Sequence, residues 1–172
     1  MIQLNNFKAP ACFLDRDGVI NIEKDYLYKT EDFEWIEGAI DAIQYLENRG
    51  FYVFVVTNQS GIARGFYTEE DVIELHNFIN LELNQHNTKI DEFFYSPYHP
   101  KFNKYLHLSD LRKPNTGMLD AAYTKWQFNK AESFMIGNKD TDVMCAHRFG
   151  IRGHLYESGN LLEFIKKVEF EL

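Results

Sequence analysis

Five times along this chain a short apolar run is followed by a stretch whose apolar residues recur at helical spacing, and few folds satisfy that alternation. The runs are Ala11 to Leu14, Phe51 to Val56, Asp91 to Tyr95, Ser133 to Ile136 and Gly153 to Tyr156. They are short and nearly continuous rather than alternating, as expected of strands covered on both faces of a parallel sheet. Between them, Ala39, Ile40, Ile43 and Leu46 mark a helix that stops at Gly50. Thr68-Glu69-Glu70-Asp71 resembles a capping box opening a helix through Leu83. Further helices are predicted over Gly117 to Phe128, Thr141 to Phe149 (closed by Gly150) and Leu161 to Val168. The expectation is an α/β protein with a doubly wound parallel sheet in three α/β/α layers, one domain over residues 1–172.

In such a sheet a ligand sits beyond the carboxyl ends of the strands, where Asp15, Thr57, Ser96 and Gly137 begin their loops. Asp15 and Asp17 lie two apart on the turn leaving the first strand, so one carboxylate can attack while the other handles protons; two solvated acids in a turn would look the same. The formal net charge of −8 argues against nucleic-acid or anionic-membrane partners. An anionic ligand therefore requires locally concentrated cations, and Arg16, Arg64, Arg112, Lys113 and Lys139 all fall on the loops of that face. No apolar run reaches the ~20 residues of a membrane span. With Cys12 and Cys145 in apolar surroundings as the two cysteines, a cytoplasmic location is expected.

The surrounding segments tie these acids to a known group. Phe13-Leu-Asp-Arg-Asp-Gly-Val-Ile-Asn21, Val56-Thr-Asn-Gln-Ser-Gly-Ile-Ala-Arg-Gly65, Arg112-Lys-Pro114 with Gly117-Met118, and Ile136-Gly-Asn-Lys-Asp-Thr-Asp142 occur in order along nearly the whole chain. Together they resemble the four motifs of the haloacid dehalogenase (HAD) superfamily, in the branch of D-glycero-D-manno-heptose 1,7-bisphosphate phosphatases and histidinol-phosphate phosphatases. The resemblance implies a Mg²⁺-dependent phosphatase that acts on a small sugar phosphate through a phospho-aspartyl intermediate; a monomer is expected. Its leading substrate is the heptose bisphosphate, cleaved at the 7-phosphate in nucleotide-activated heptose biosynthesis; histidinol phosphate is the alternative.

Carried over residue by residue, the resemblance makes Asp15 the nucleophile and a metal ligand. Asp17 becomes the proton donor and acceptor, its backbone carbonyl also binding the metal. Thr57 and Lys113 hold the transferring phosphoryl group. Glu23, Lys24, Asp25, Tyr26, Asn58, Gln59, Ser60, Arg64, Arg112 and Lys139 recognise the substrate. Asn138 takes the place of the usual acidic metal ligand, with Asp142 behind it.

Two departures stand out. Many relatives carry a zinc loop of three Cys and one His where this chain has Ser96, Tyr98, Ser109 and Leu111, so no structural zinc is expected, and His99 and His107 do not replace it. Asn138 replaces an aspartate, which weakens the cation site unless Asp142, four residues on, shares a helix face and compensates; a weakly active or non-catalytic phosphosugar-binding protein is the reading from a different class. The inter-motif segments leave no room for a cap domain. Phe33 and Trp35 are expected to seal the core, and Met118, Met135 and Met144 to fill it.

Overall fold

The computed structural model describes residues 8–169. Strands β1 (Ala11–Leu14), β2 (Tyr52–Asn58), β3 (Glu92–Ser96), β4 (Phe134–Gly137) and β5 (Arg152–Leu155) pair in parallel in the order β3-β2-β1-β4-β5. The chain winds outward from β1 through β2 to β3, then crosses back to β4 and β5 on the other side. The switch point lies between β1 and β4, where Leu14 is in register with Ile136 and where ligands of such sheets bind.

Helices α1 (Ala39–Asn48), α2 (Gly61–Arg64), α3 (Glu69–Gln85), α4 (Gly117–Trp126), α5 (Asp140–Phe149) and α6 (Leu161–Glu169) complete the chain. One face of the sheet packs on α1, α3 and α6 through Ile43, Leu46, Leu75, Ile79 and Ile165. The other packs on α4 and α5 through Leu119, Ala122, Cys145 and Ala146, with Phe13 set among Phe54, Phe128 and Phe149. Both faces are covered, so β1 and the middle of β2 have no solvent exposure, and this is why their sequences run apolar without alternation.

Local signals act where the sequence places them. Thr68 and Asp71 form the reciprocal capping box at the start of α3. Gly150, at φ +89°, ends α5 in a left-handed conformation.

Several expectations need correction. The loop expected from Thr57 is strand through Asn58 and then contains the single turn α2, because the register with β3 continues to Ser96. The long loop after β3 holds a 3-10 segment, Asn103–Leu111. Met144 is 44% exposed rather than core filler, since the neighbouring Cys145 and Ala146 take the buried side of α5. Met118 and Met135 are buried, and Phe33 and Trp35 pack against the core as partly buried residues. No described helix is long and apolar enough to cross a membrane.

Candidate active site

At the carboxyl end of β1 the amide of Asp15 donates to the carbonyl of Ile136 at 2.9 Å, which pins the first loop residue to β4. The Asp15 carboxylate is 5% exposed, and its Oδ1 accepts from the Arg16 amide at 2.9 Å and from Lys113 Nζ at 2.8 Å. Lys113 Nζ also meets Asp142 Oδ1 at 2.8 Å and donates to the Val56 carbonyl at 2.7 Å, so all three of its protons are placed. Two buried carboxylates thus share one ammonium. Burial pushes the Asp15 carboxyl up to about 6; Lys113 opposes this, while Asp142 and Asp17 reinforce it. Burial alone would lower the Lys113 ammonium, but Asp15 and Asp142 reverse that and leave it raised.

Asp17 is held from several sides. Arg16, with no exposure, places Nη2 at 3.1 and 3.0 Å from its two carboxylate oxygens and donates from the same nitrogen to the Leu27 carbonyl at 2.8 Å. Asn21 Nδ2 donates to Asp17 Oδ1 and Gln59 Nε2 to Asp17 Oδ2, each at 3.0 Å. Behind the guanidinium, Nη1 lies 3.4 Å from Nε2 of the buried His76, whose ring stacks on Phe93. Arg16 was expected in a positive patch facing substrate; its charge is instead used inside the fold.

The second loop is built largely for support. Thr57 is buried and its Oγ1 accepts from Gln59 Nε2 at 2.8 Å. Gln59 in turn accepts from the Tyr67 hydroxyl at 2.6 Å, so its amide is fully engaged with protein. Asn58 brackets the Lys113 peptide, donating to its carbonyl at 3.2 Å and accepting from its amide at 3.1 Å. These bonds place the lysine that Asp15 needs.

Above this floor opens a cavity of about 400 Å³. Asp15, Asp17, Asn58, Gln59, Lys113 and Asp142 form its inner wall, and Glu23, Lys24, Asp25, Tyr26, Ser60, Arg112 and Lys139 surround them. Thr57, Arg64 and Asn138 do not line it. Arg64 turns away to His99, 2.8 Å from its Nε2, and lies over the rings of Tyr26 and Phe102. Two lining residues were missed. Thr141 falls inside the fourth motif and was open to inference; Tyr67 stands outside every motif, and only its contact with Gln59 marks it.

Asn138 precedes α5, whose N-cap is Lys139, so it does not share a helix face with Asp142 as expected. Asp142 Oδ2 instead accepts from the Lys139 amide at 3.1 Å, satisfying the N-cap N–H from the first turn of α5. Asn138 Nδ2 donates to Glu23 Oε2 at 3.0 Å, and its Oδ1 is buried without a hydrogen-bond partner. A buried amide oxygen without a protein partner, on the loop leaving β4 beside β1, is a donor that a hard divalent cation satisfies. Such an ion would rest on mixed oxygens: the Asp15 carboxylate, the Asp17 carbonyl and Asn138 Oδ1. No group of three or more His, Cys, Asp or Glu side chains suited to a metal occurs among the described residues. In the loop after β3, Ser96, Tyr98, Ser109 and Leu111 offer no thiolate. The loop is tied by Arg112 Nη1 to the Tyr98 carbonyl at 3.2 Å, by Asn115 Nδ2 to the Ser109 carbonyl at 3.3 Å, and by packing of His99 on Phe102.

The family model described as HAD-hydrolase-like matches residues 110–163. The chain is 40% identical over 168 residues to the D-glycero-beta-D-manno-heptose-1,7-bisphosphate 7-phosphatase of Rhodopseudomonas palustris, covering 96% of this chain and 93% of that relative. It is 40% identical over 140 residues to the protein of the same name from Escherichia coli K12, covering 80% and 73%. The crystal structure of D,D-heptose 1,7-bisphosphate phosphatase from B. bronchiseptica, complexed with magnesium and phosphate, superposes with a TM-score of 0.77 at 26% identity, covering 92% of this chain and 86% of that one.

Proposed function

The chain belongs to the HAD-like hydrolases, and from that membership we propose that it is a Mg²⁺-dependent sugar phosphatase that removes the 7-phosphate of D-glycero-D-manno-heptose 1,7-bisphosphate. What carries this reading is the buried Lys113 ammonium, 2.8 Å from both Asp15 and Asp142 at the floor of the cavity. It holds a carboxylate in place at the topological switch point while leaving the pair with excess negative charge.

Asp15 attacks phosphorus, and the bond from phosphorus to the sugar oxygen breaks as Asp17 gives that oxygen a proton. Asp17 then takes a proton from water, whose oxygen attacks the same phosphorus; the acyl phosphate opens, inorganic phosphate leaves and Asp15 is restored. A bound Mg²⁺ supplies charge that offsets the repulsion between carboxylate and phosphate. Asp15, the Asp17 carbonyl and Asn138 would hold it, with Asp142 behind. Lys113 touches Asp15 already, so a phosphoryl group moving onto that carboxylate comes under its charge. Thr57 lies outside the cavity lining, but Gln59 is the donor in their contact, so the Thr57 hydroxyl proton stays available to a phosphoryl oxygen on Asp15.

Glu23, Lys24, Asp25, Tyr26, Ser60, Arg112 and Lys139 recognise the rest of the sugar bisphosphate, and Arg64 supports Tyr26 from outside. We take the protein to act as a monomer in the cytoplasm, a compartment that the buried free thiols Cys12 and Cys145 fit.

Phosphate release with Mg²⁺, compared between the heptose bisphosphate and histidinol phosphate, tests the reading, with Asp15→Asn as the null. Preference for the bisphosphate supports it. Turnover of histidinol phosphate alone would move the chain to the neighbouring branch, a substrate whose amine the acids Glu23 and Asp25 would suit. Native protein no faster than Asp15→Asn would make it a binding protein.

A further inference from the structure

We propose that Glu23 supplies the negative charge that position 138 lacks, acting as a positioning residue through the Asn138 amide on the cation that the amide oxygen serves. The inference rests on the Mg²⁺ reading above and goes beyond it, since it assigns to the metal site a residue from the first loop.

Four observations converge. A carboxylate only accepts hydrogen bonds, so the 3.0 Å contact to Glu23 Oε2 fixes the Asn138 amide with its nitrogen towards Glu23 and its oxygen away. That oxygen is buried and has no protein partner. Glu23, about half exposed, meets Lys139 Nζ at 2.8 Å through its other oxygen, which leaves Oε2 directed at the amide. Finally, Gly18, at φ +83°, clears the space where the two side chains meet: a Cβ there would lie 2.1 Å from Asn138 Nδ2 and 3.3 Å from Glu23 Oε2.

The chemistry follows the rule for ligands backed by a carboxylate. A hydrogen bond from the distal N–H of a ligand to a carboxylate fixes the ligand's orientation and raises the basicity of its coordinating atom, and loss of the backing group typically costs about 10–100-fold in metal affinity. An amide is a weak neutral ligand; with Glu23 on its nitrogen, electron density shifts to Oδ1 and the missing charge stands one residue further out. Asp142 contributes less, because its charge is shared with Lys113 Nζ and its other oxygen accepts from the Lys139 amide. It follows that Asn138→Asp by itself is no repair, since it sets a second carboxylate against Glu23.

Calorimetric titration of Mg²⁺ into metal-free native protein, Glu23→Gln, Asn138→Asp and the double variant tests this, with the thermal midpoint of each metal-free protein measured alongside. Glu23→Gln is expected to raise the Mg²⁺ Kd by about tenfold with the midpoint unchanged. Asn138→Asp should give little gain alone and should restore native affinity or better in the Glu23→Gln background. An unchanged Kd in Glu23→Gln, or additive effects of the two substitutions, would overturn the inference. Should Glu23→Gln lower the midpoint, rescue of affinity by the second substitution still decides, because lost packing is not repaired by a charge at 138. Native protein that binds Mg²⁺ and releases phosphate while Glu23→Gln is unaffected rejects this inference alone. Native protein that neither binds Mg²⁺ nor turns over rejects the phosphatase reading as well.

Discussion

The guanidinium of Arg16, shut off from solvent, turns back on its own neighbour and meets both carboxylate oxygens of Asp17, at 3.1 and 3.0 Å. A charge placed there does not bind substrate; it fixes the group that must move protons. Arg16→Met leaves Asp17 and the Leu27 carbonyl without their shared donor. Asp17 is partly exposed and keeps Asn21 and Gln59, so the loss is expected to cost about 1–3 kcal/mol in urea unfolding. Turnover should fall by about 10²-fold or more, as when a general acid is displaced.

His76 makes the same cluster sensitive to acid. Burial, reinforced by Arg16, holds its pKa well below the usual histidine range, and the groups facing its ring are Arg16, Phe93 and Tyr95. Unfolded, the ring takes a proton near pH 6.5. The unfolded chain therefore binds more protons below that pH, so this contribution is complete above about 6.5 and is lost as pH falls, with a slope of up to about 1.4 kcal/mol per pH unit. Native protein should lose stability relative to His76→Gln between pH 7 and pH 5 in parallel denaturant titrations.

Lys113 balances the two carboxylates, so its removal should separate metal binding from catalysis. Lys113→Met takes a positive charge from beside the cation site, and Mg²⁺ should bind more tightly in a calorimetric titration. Phosphate release should nevertheless drop by roughly 10³-fold, the scale for losing one preorganised electrostatic contact at the reacting group. Removing Mg²⁺ with a chelator should abolish turnover in both proteins.

Gly18→Ala tests the close approach over Asn138. The left-handed backbone costs a non-glycine residue about 1–2 kcal/mol. The new methyl must also displace the Asn138 amide, 2.1 Å from the ideal Cβ position. The expected outcome is a lowered thermal midpoint together with weaker Mg²⁺ binding. Gly50→Ala, where φ is +82° but nothing lies within 4 Å, should lower the midpoint alone.

Strand and helix succession could be read from the chain because double burial writes a continuous apolar run at β1, β2 and β4, and because caps such as Thr68 to Asp71 act over three residues. The loop residues around the cavity could be listed from the resemblance, since each lies beside a strand end. Their orientations were not legible. Arg16 meets the Leu27 carbonyl eleven residues on and His76 sixty residues away on α3, and no local pattern encodes those meetings. Arg64 likewise carries the same charge whether it points to a phosphate or to His99. Asn138 was read as a defect because its remedy, Glu23, lies 115 positions earlier in the chain.

The place of β1 as the third of five strands has a bearing on durability. Fraying begins at free edges, and the edges here are β3 and β5, so partial openings can proceed from either flank without releasing the strand that carries Asp15. The slowest amide hydrogen exchange in the molecule should fall at residues 12–14, and the lifetime of the attacking group becomes the lifetime of the whole fold.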